Sequence, residues 1–255
     1  MRVTRSVVPN LFTLANLFCG FASIVASATG AFERAAWLIV LAAVFDMLDG
    51  VVARLTDSTS EFGVELDSLC DAVSFGVAPS MMLYMVFFNQ WTSWGLLIAS
   101  LPALAGVLRL ARFNVQLTGM EDKLYFRGMP IPAGALTIVS YVITIDRHDV
   151  LPPDLRPWGL LTATIITSAA MVSTIKYDNM PRPTARAIRQ RPVVFLVFLA
   201  GLVASIVTSG AAVFPFMAVY MIGGAVRHVV TSFRQRQNDD DDDLMEAPDP
   251  DPFEL

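Results

Sequence analysis

The chain has 255 residues, 55% of them hydrophobic and only 16% charged, with a mean hydropathy of +0.56. A water-soluble domain of this length needs far more polar surface, so the composition excludes an ordinary soluble enzyme or binding module and points to a polytopic helical membrane protein. The net charge of −5 rests on five consecutive aspartates at 239–243, and without them the balance is near neutral and gives no argument for a nucleic-acid partner.

The opening MRVTRSVVPNLFTLANLFCGF has the basic start and apolar run of a signal sequence, but the small residues from Ala26 to Gly30 lead into another apolar stretch. It is therefore expected to be a retained first helix. Eight apolar segments follow in order, at 11–30, 33–56, 66–89, 93–113, 131–146, 157–175, 193–209 and 212–230. Each crosses, or nearly crosses, a hydrocarbon core of about 30 Å. The fifth is short and contains Pro132, which makes it the weakest of the set. With the N-terminus inside, alternation puts fifteen of the 18 lysines and arginines on the inner face and leaves only Arg34, Arg147 and Arg156 outside. That bias supports eight spans with both termini cytoplasmic. Residues 1–180 read as the core, 181–236 as a basic cytoplasmic loop with two further helices, and 237–255 as an acidic, proline-punctuated tail expected to be disordered. Cys19 and Cys70 lack metal-ligand spacing and suggest no disulfide framework, and His148 and His228 are isolated.

The informative stretch runs from Phe45 to Ser80. Asp46 and Asp49 lie near the inner end of an apolar helix, where a carboxylate costs about 3 kcal/mol on insertion scales and is by default a functional candidate. At 3.6 residues per turn, Asp46, Asp49, Gly50, Ala53 and Arg54 share one face. Gly50 and Ala53 leave room for close approach to the backbone, and Arg54 offers a planar donor fork suited to phosphate. In the next segment Gly63, Asp67 and Asp71 again share a face, with Ser74 continuing it. Two antiparallel helices joined by a short inner loop can turn these faces toward each other. Four converging carboxylates repel unless cations are present, and all-oxygen ligation favours Mg²⁺ or Mn²⁺. Taken singly, each residue has a plainer role. An aspartate at a helix end can cap or snorkel, Gly50 and Ala53 can serve packing, Arg54 can anchor at the interface, and Cys70 fits as a small packing residue.

The run Asp46-x2-Asp49-Gly50-x2-Ala53-Arg54-x8-Gly63-x3-Asp67-x3-Asp71 resembles the signature of the CDP-alcohol phosphatidyltransferase family at all eight fixed positions. The resemblance implies an all-α transmembrane bundle whose four aspartates hold two divalent ions, Mg²⁺ or Mn²⁺, at the pyrophosphate of CDP-diacylglycerol. It further implies Asp71 as general base, with Gly50 and Arg54 at the nucleotide and phosphates and Ser60 often joining them. The family core has six spans, so residues 193–230 look like an appended pair. The family is often dimeric, which implies a possible homodimer.

Within that family, Pro9-Asn-Leu-Phe-Thr13, the stretch from Glu61 to Pro79, Arg109-Leu-Ala-Arg-Phe-Asn114 and Phe126-Arg-Gly-Met-Pro-Ile-Pro132 resemble segments of membrane-embedded bacterial and archaeal phosphatidylserine synthases. The resemblance covers about residues 5–180. It implies transfer of a phosphatidyl group from CDP-diacylglycerol to L-serine with release of CMP, at the cytoplasmic face of the membrane. An arginine is the natural partner for the carboxylate of serine, and Arg112 or Arg127 could supply it, although either could equally be an inner-face anchor. Glycerol 3-phosphate, inositol phosphate and choline are alternative acceptors, and the basic loop 176–191 could serve a phosphorylated one. A divalent-cation transporter would also use intramembrane acids. It would need a polar path onward, which AAWLIVLAAV and MMLYMVFF do not offer.

Overall fold

A computed structural model of the chain describes residues 3–58, 60–118, 128–148, 150–175, 208, 214–219 and 221–224. All regular structure among the described residues is helical. The elements are α1 (Val3–Ala28), α2 (Phe32–Leu55), α3 (Glu61–Asp71), a π-helical stretch (Ala72–Val77), α4 (Ala78–Val86), a 3₁₀ turn (Phe88–Trp91), α5 (Thr92–Thr118), α6 (Ile131–His148) and α7 (Arg156–Val172). Because α3, the π stretch and α4 run on as one rod, the elements from α1 to α7 form six rods.

Among the described residues, four apolar helices are long enough to cross a bilayer: Val7–Ala28, Phe32–Leu55, Glu61–Val86 and Phe88–Val115. They coincide with the first four expected spans. With α6 and α7 they make an integral membrane protein, an all-α helical bundle. The third rod starts five residues before its expected start at residue 66, because Ser60 caps it. The Ser60 side chain accepts the Gly63 N–H at 3.0 Å, and apolarity alone gives no sign of that boundary. Pro132 does not interrupt the fifth span. It is the second residue of α6, where a missing N–H costs nothing. The loop 176–191, the acidic tail and, apart from residue 208, the seventh expected span lie outside the described residues. Of the eighth, helix is described at 214–219 and 221–224.

Tight connections set the rods antiparallel. Gly30, at φ +79, ends α1 with a left-handed turn. There Ala31 N–H bonds Ala26 C=O at 2.9 Å and Gly30 N–H bonds Ser27 C=O at 3.1 Å. The chain then turns straight into α2, which packs along the length of α1. At the other end, Gly128 at φ +85 donates to Ile175 C=O at 2.8 Å, and Met129 donates to Ala170 C=O at 3.0 Å. The start of α6 is thereby clamped to the end of α7. The Arg112 guanidinium donates to Val172 C=O at 3.0 Å and ties the end of α5 to the same place. One end of the bundle thus gathers the start of α1, the α2–α3 connection, the end of α5, the start of α6 and the end of α7.

Each rod shows a lipid face and a packed face. On α1, Leu11, Leu14, Phe18, Phe21 and Val25 are exposed, with Phe18 at 70%. Pro9, Thr13, Asn16, Gly20, Ser23 and Ser27 are buried against the other helices. This inversion, with large apolar residues out and small or polar ones in, is the pattern a bilayer imposes. Pro102 lies inside α5, and just beyond it the Ser80 hydroxyl of α4 accepts the Ala103 N–H at 3.1 Å, which ties the two helices together there.

Candidate active site

The last two turns of α2 and the whole of α3 carry the signature residues. Both are unbroken α-helix through Asp71, so the i, i+3 and i, i+4 spacings place the carboxylates on facing sides as expected. Carboxylate oxygens of Asp46, Asp49 and Asp67 all lie within 4.8 Å of one another. Asp49 is buried, Asp46 and Asp67 are half-buried, and Asp67 Oδ1 is enclosed without a hydrogen-bond partner. Three acids this close in a low-dielectric surrounding are costly as bare charges. An all-oxygen donor set with an unsatisfied oxygen fits a hard divalent cation, and these three residues could hold one.

Asp71 is buried one turn beyond Asp67, and its Oδ1 accepts the Asn16 side-chain amide at 3.0 Å. It is not among the three acids that share the 4.8 Å cluster. Immediately after it the helix widens into the π stretch, where Ala78 N–H reaches back five residues to Val73 C=O. Pro79 follows and has no N–H to give, so the wide turn absorbs a residue that an α-helix would accommodate badly. Ser74, expected to continue the acidic face, instead turns to α1, where its hydroxyl donates to Asn16 C=O at 3.0 Å.

The cleft beside the acids has a volume of about 180 Å³. Asp49, Gly50, Arg54, Ser60 and Asp67 line it, together with Thr13 from α1. The Arg54 guanidinium folds back over its own helix, so that a Cβ on Gly50 would sit 3.3 Å from Nη1. The glycine keeps the floor of the cleft open. Ser60 reaches the cleft while its oxygen caps α3, which couples the start of α3 to the cleft wall. Of the two arginines considered for a substrate carboxylate, Arg112 is exposed and holds the end of α7, whereas Arg127 lies outside the described residues. Asn114 bridges α5 to α3, its amide donating to the Ser68 hydroxyl at 3.1 Å and to Glu65 at 3.4 Å.

Two residues of α1 enter the site that the signature does not contain. The Thr13 hydroxyl lies 2.9 Å from Asp49 Oδ2 and 3.2 Å from Pro9 C=O, with the carboxylate the nearer acceptor. Asn16 is the second, through Asp71. A signal for both is present in the sequence. Pro9, Thr13, Asn16, Gly20, Ser23 and Ser27 recur every three or four residues, a small and polar stripe on an otherwise leucine- and phenylalanine-rich helix.

Residues 6–176 match the CDP-alcohol phosphatidyltransferase family. The chain is 36% identical over 219 residues to a CDP-diacylglycerol–serine O-phosphatidyltransferase of Helicobacter pylori, covering 86% of this chain and 90% of that protein. An archaetidylserine synthase of Methanothermobacter thermautotrophicus is 36% identical over 183 residues, 70% of this chain and 73% of its own. A CDP-diacylglycerol–serine O-phosphatidyltransferase of Methanocaldococcus jannaschii is 41% identical over 144 residues, 56% of this chain and 63% of its own. With a match of that extent over the whole of the acidic site, this chain belongs to the CDP-alcohol phosphatidyltransferase family.

Proposed function

We propose that the protein transfers the phosphatidyl group of CDP-diacylglycerol to L-serine and releases CMP. The observation that carries the reading is the meeting of Asp46, Asp49 and Asp67 with Gly50 and Arg54 at a cleft near one end of apolar helices. The serine synthase relatives, similar over most of the chain, support serine as the acceptor. A site at the bundle end lets the acyl tails stay in lipid while CMP and serine exchange with water. The lysine and arginine bias supports a cytoplasmic side for that end and for both termini.

Asp46, Asp49 and Asp67, with Asp71 beside them, are the residues that would hold two divalent cations, Mg²⁺ or Mn²⁺. Bound there, the cations would neutralise charge on the phosphoryl group and on departing CMP. The chain's own residues do the rest. Arg54 offers its fork to the phosphates over the bare backbone at Gly50, and Ser60 stands at the cleft wall. Asp71 takes the proton of the serine hydroxyl, which is a poor nucleophile at neutral pH, as the oxygen attacks the lipid-side phosphorus. Arg112 or Arg127 pairs with the serine carboxylate.

The test is CMP release from CDP-diacylglycerol by the purified protein in detergent, with Mg²⁺ or Mn²⁺ and with serine, glycerol 3-phosphate, inositol phosphate or choline supplied separately. Metal-dependent release with serine, lost in Asp71→Asn, is the expected result. Release with another acceptor alone would overturn the serine assignment and keep the chemistry. No release with any acceptor by folded protein would overturn the enzymatic reading.

A further inference from the structure

Asn16 is an amide in the middle of a membrane helix, fully buried, on a chain segment outside the family's signature. An apolar side chain of the same shape would suit that surrounding better, since a buried amide must find partners or lose about 1–3 kcal/mol. It finds one. Its Nδ2 donates to Asp71 Oδ1 at 3.0 Å, while its own Oδ1 has no hydrogen-bond partner. A carboxylate acceptor fixes the amide in this orientation, because the flipped amide would set oxygen against oxygen. The backbone beneath it is fixed as well, through the Ser74 hydroxyl on Asn16 C=O at 3.0 Å. At Gly20, one turn further along α1, the two backbones touch so closely that an added Cβ would lie 2.7 Å from Ser74 Cα.

We infer that Asn16 is a positioning residue that holds the Asp71 carboxylate apart from the three clustered acids, with Oδ1 engaged and Oδ2 left to receive the acceptor's proton. The inference rests on the function proposed above, in which the serine hydroxyl loses its proton to Asp71. In that step the new bond joins the serine oxygen to the lipid-side phosphorus, the phosphorus–oxygen bond to CMP breaks, and the proton passes to Asp71. Without the amide, the Asp71 carboxylate loses its fixed direction, and the proton acceptor is no longer aligned with the attacking oxygen. The loss falls on the chemical step, so substrate affinity and the three-acid cluster keep their character.

The test compares the full-length wild type with Asn16→Leu, which fills the same space without a donor, and with Asn16→Ala should the larger side chain prevent folding. CMP release gives kcat and KM, and Mn²⁺ binding to the purified protein is followed by electron paramagnetic resonance without substrate. The expected result is a fall in kcat of about 10–100-fold, with KM for both substrates and the Mn²⁺ midpoint within about threefold of wild type. Ser74→Ala serves as the packing control, because it loses the helix–helix bond and keeps the amide. It is expected to lower thermal stability and leave kcat within about threefold. An unchanged kcat in both Asn16 variants overturns the inference, as does a Ser74→Ala loss equal to theirs. A kcat loss matched by loss of Mn²⁺ binding also overturns it, by moving Asn16's role to the metal cluster. Wild-type protein inactive with every acceptor overturns the proposed function and this inference together, whereas active wild type with active Asn16 variants overturns this inference alone.

Discussion

Gly20→Ala is the smallest change that should disable the site from outside it. The added methyl would lie 2.7 Å from Ser74 Cα and 2.8 Å from Ser74 Cβ, and it would also meet the Ser74 hydroxyl. Carbon atoms at rest sit about 3.5–4.0 Å apart, so α1 and the π stretch must part by about 1 Å. Two hydrogen bonds span that seam, Ser74 to Asn16 C=O and Asn16 to Asp71, each at 3.0 Å. Lengthened to about 4 Å, neither survives as a hydrogen bond. Overpacking of this kind costs about 1–3 kcal/mol and the two bonds add about 1 kcal/mol each, so a loss of about 3–5 kcal/mol is expected. Tryptophan fluorescence on heating in detergent should show a Tm several degrees below wild type. CMP release should fall at least about tenfold, since misalignment worth about 1.4 kcal/mol in the transition state already has that effect. Adding Ser74→Gly to the variant removes the side-chain overlap but not the backbone one, so Tm should recover only in part. A Gly20→Ala protein with wild-type Tm and turnover would refute this account of the seam, and complete recovery in the double variant would refute its backbone origin.

Four further outcomes are expected. Chelation by EDTA should abolish CMP release, and Mg²⁺ or Mn²⁺ should restore it. Asp67→Asn should raise the Mn²⁺ midpoint at least about tenfold by removing one of three clustered oxygen donors, and unaltered Mn²⁺ binding would exclude Asp67 as a ligand. Ser60→Ala removes the cap of α3 and should cost about 1 kcal/mol, read as a lower Tm with a modest fall in turnover, whereas Ser60→Asp should keep the Tm near wild type. Ser80→Ala leaves the Ala103 N–H beside Pro102 without its acceptor, and a loss of about 1–3 kcal/mol with kcat unchanged is expected from thermal unfolding and CMP release together.

Several features could be read from the sequence with little loss, and they share a cause. The six rods of the core follow from apolar length. The meeting of Asp46, Asp49 and Asp67 follows from spacing on two adjacent helices joined by a short connection. The boundary at Ser60 was less legible, since a capping hydroxyl moves a helix start without changing the hydropathy around it. An unbroken α-helical period carries Ser74 onto the acidic face, but the π stretch breaks that period where Gly76 lies against Ala103 of α5. A period alone does not register that contact.

The sequence by itself determined that this is a membrane bundle and that Asp46 and Asp49 can face Asp67, because both are consequences of short-range helical geometry in a solvent that forces every backbone group to be satisfied within its helix, whereas Asp71, expected with them, stands outside the cluster. The tertiary structure decided what holds those acids. Thr13 meets Asp49 across 36 residues of chain and Asn16 meets Asp71 across 55. Such pairings depend on the rotation of α1 about its axis and on its close approach at Gly20, which arise only when whole helices pack.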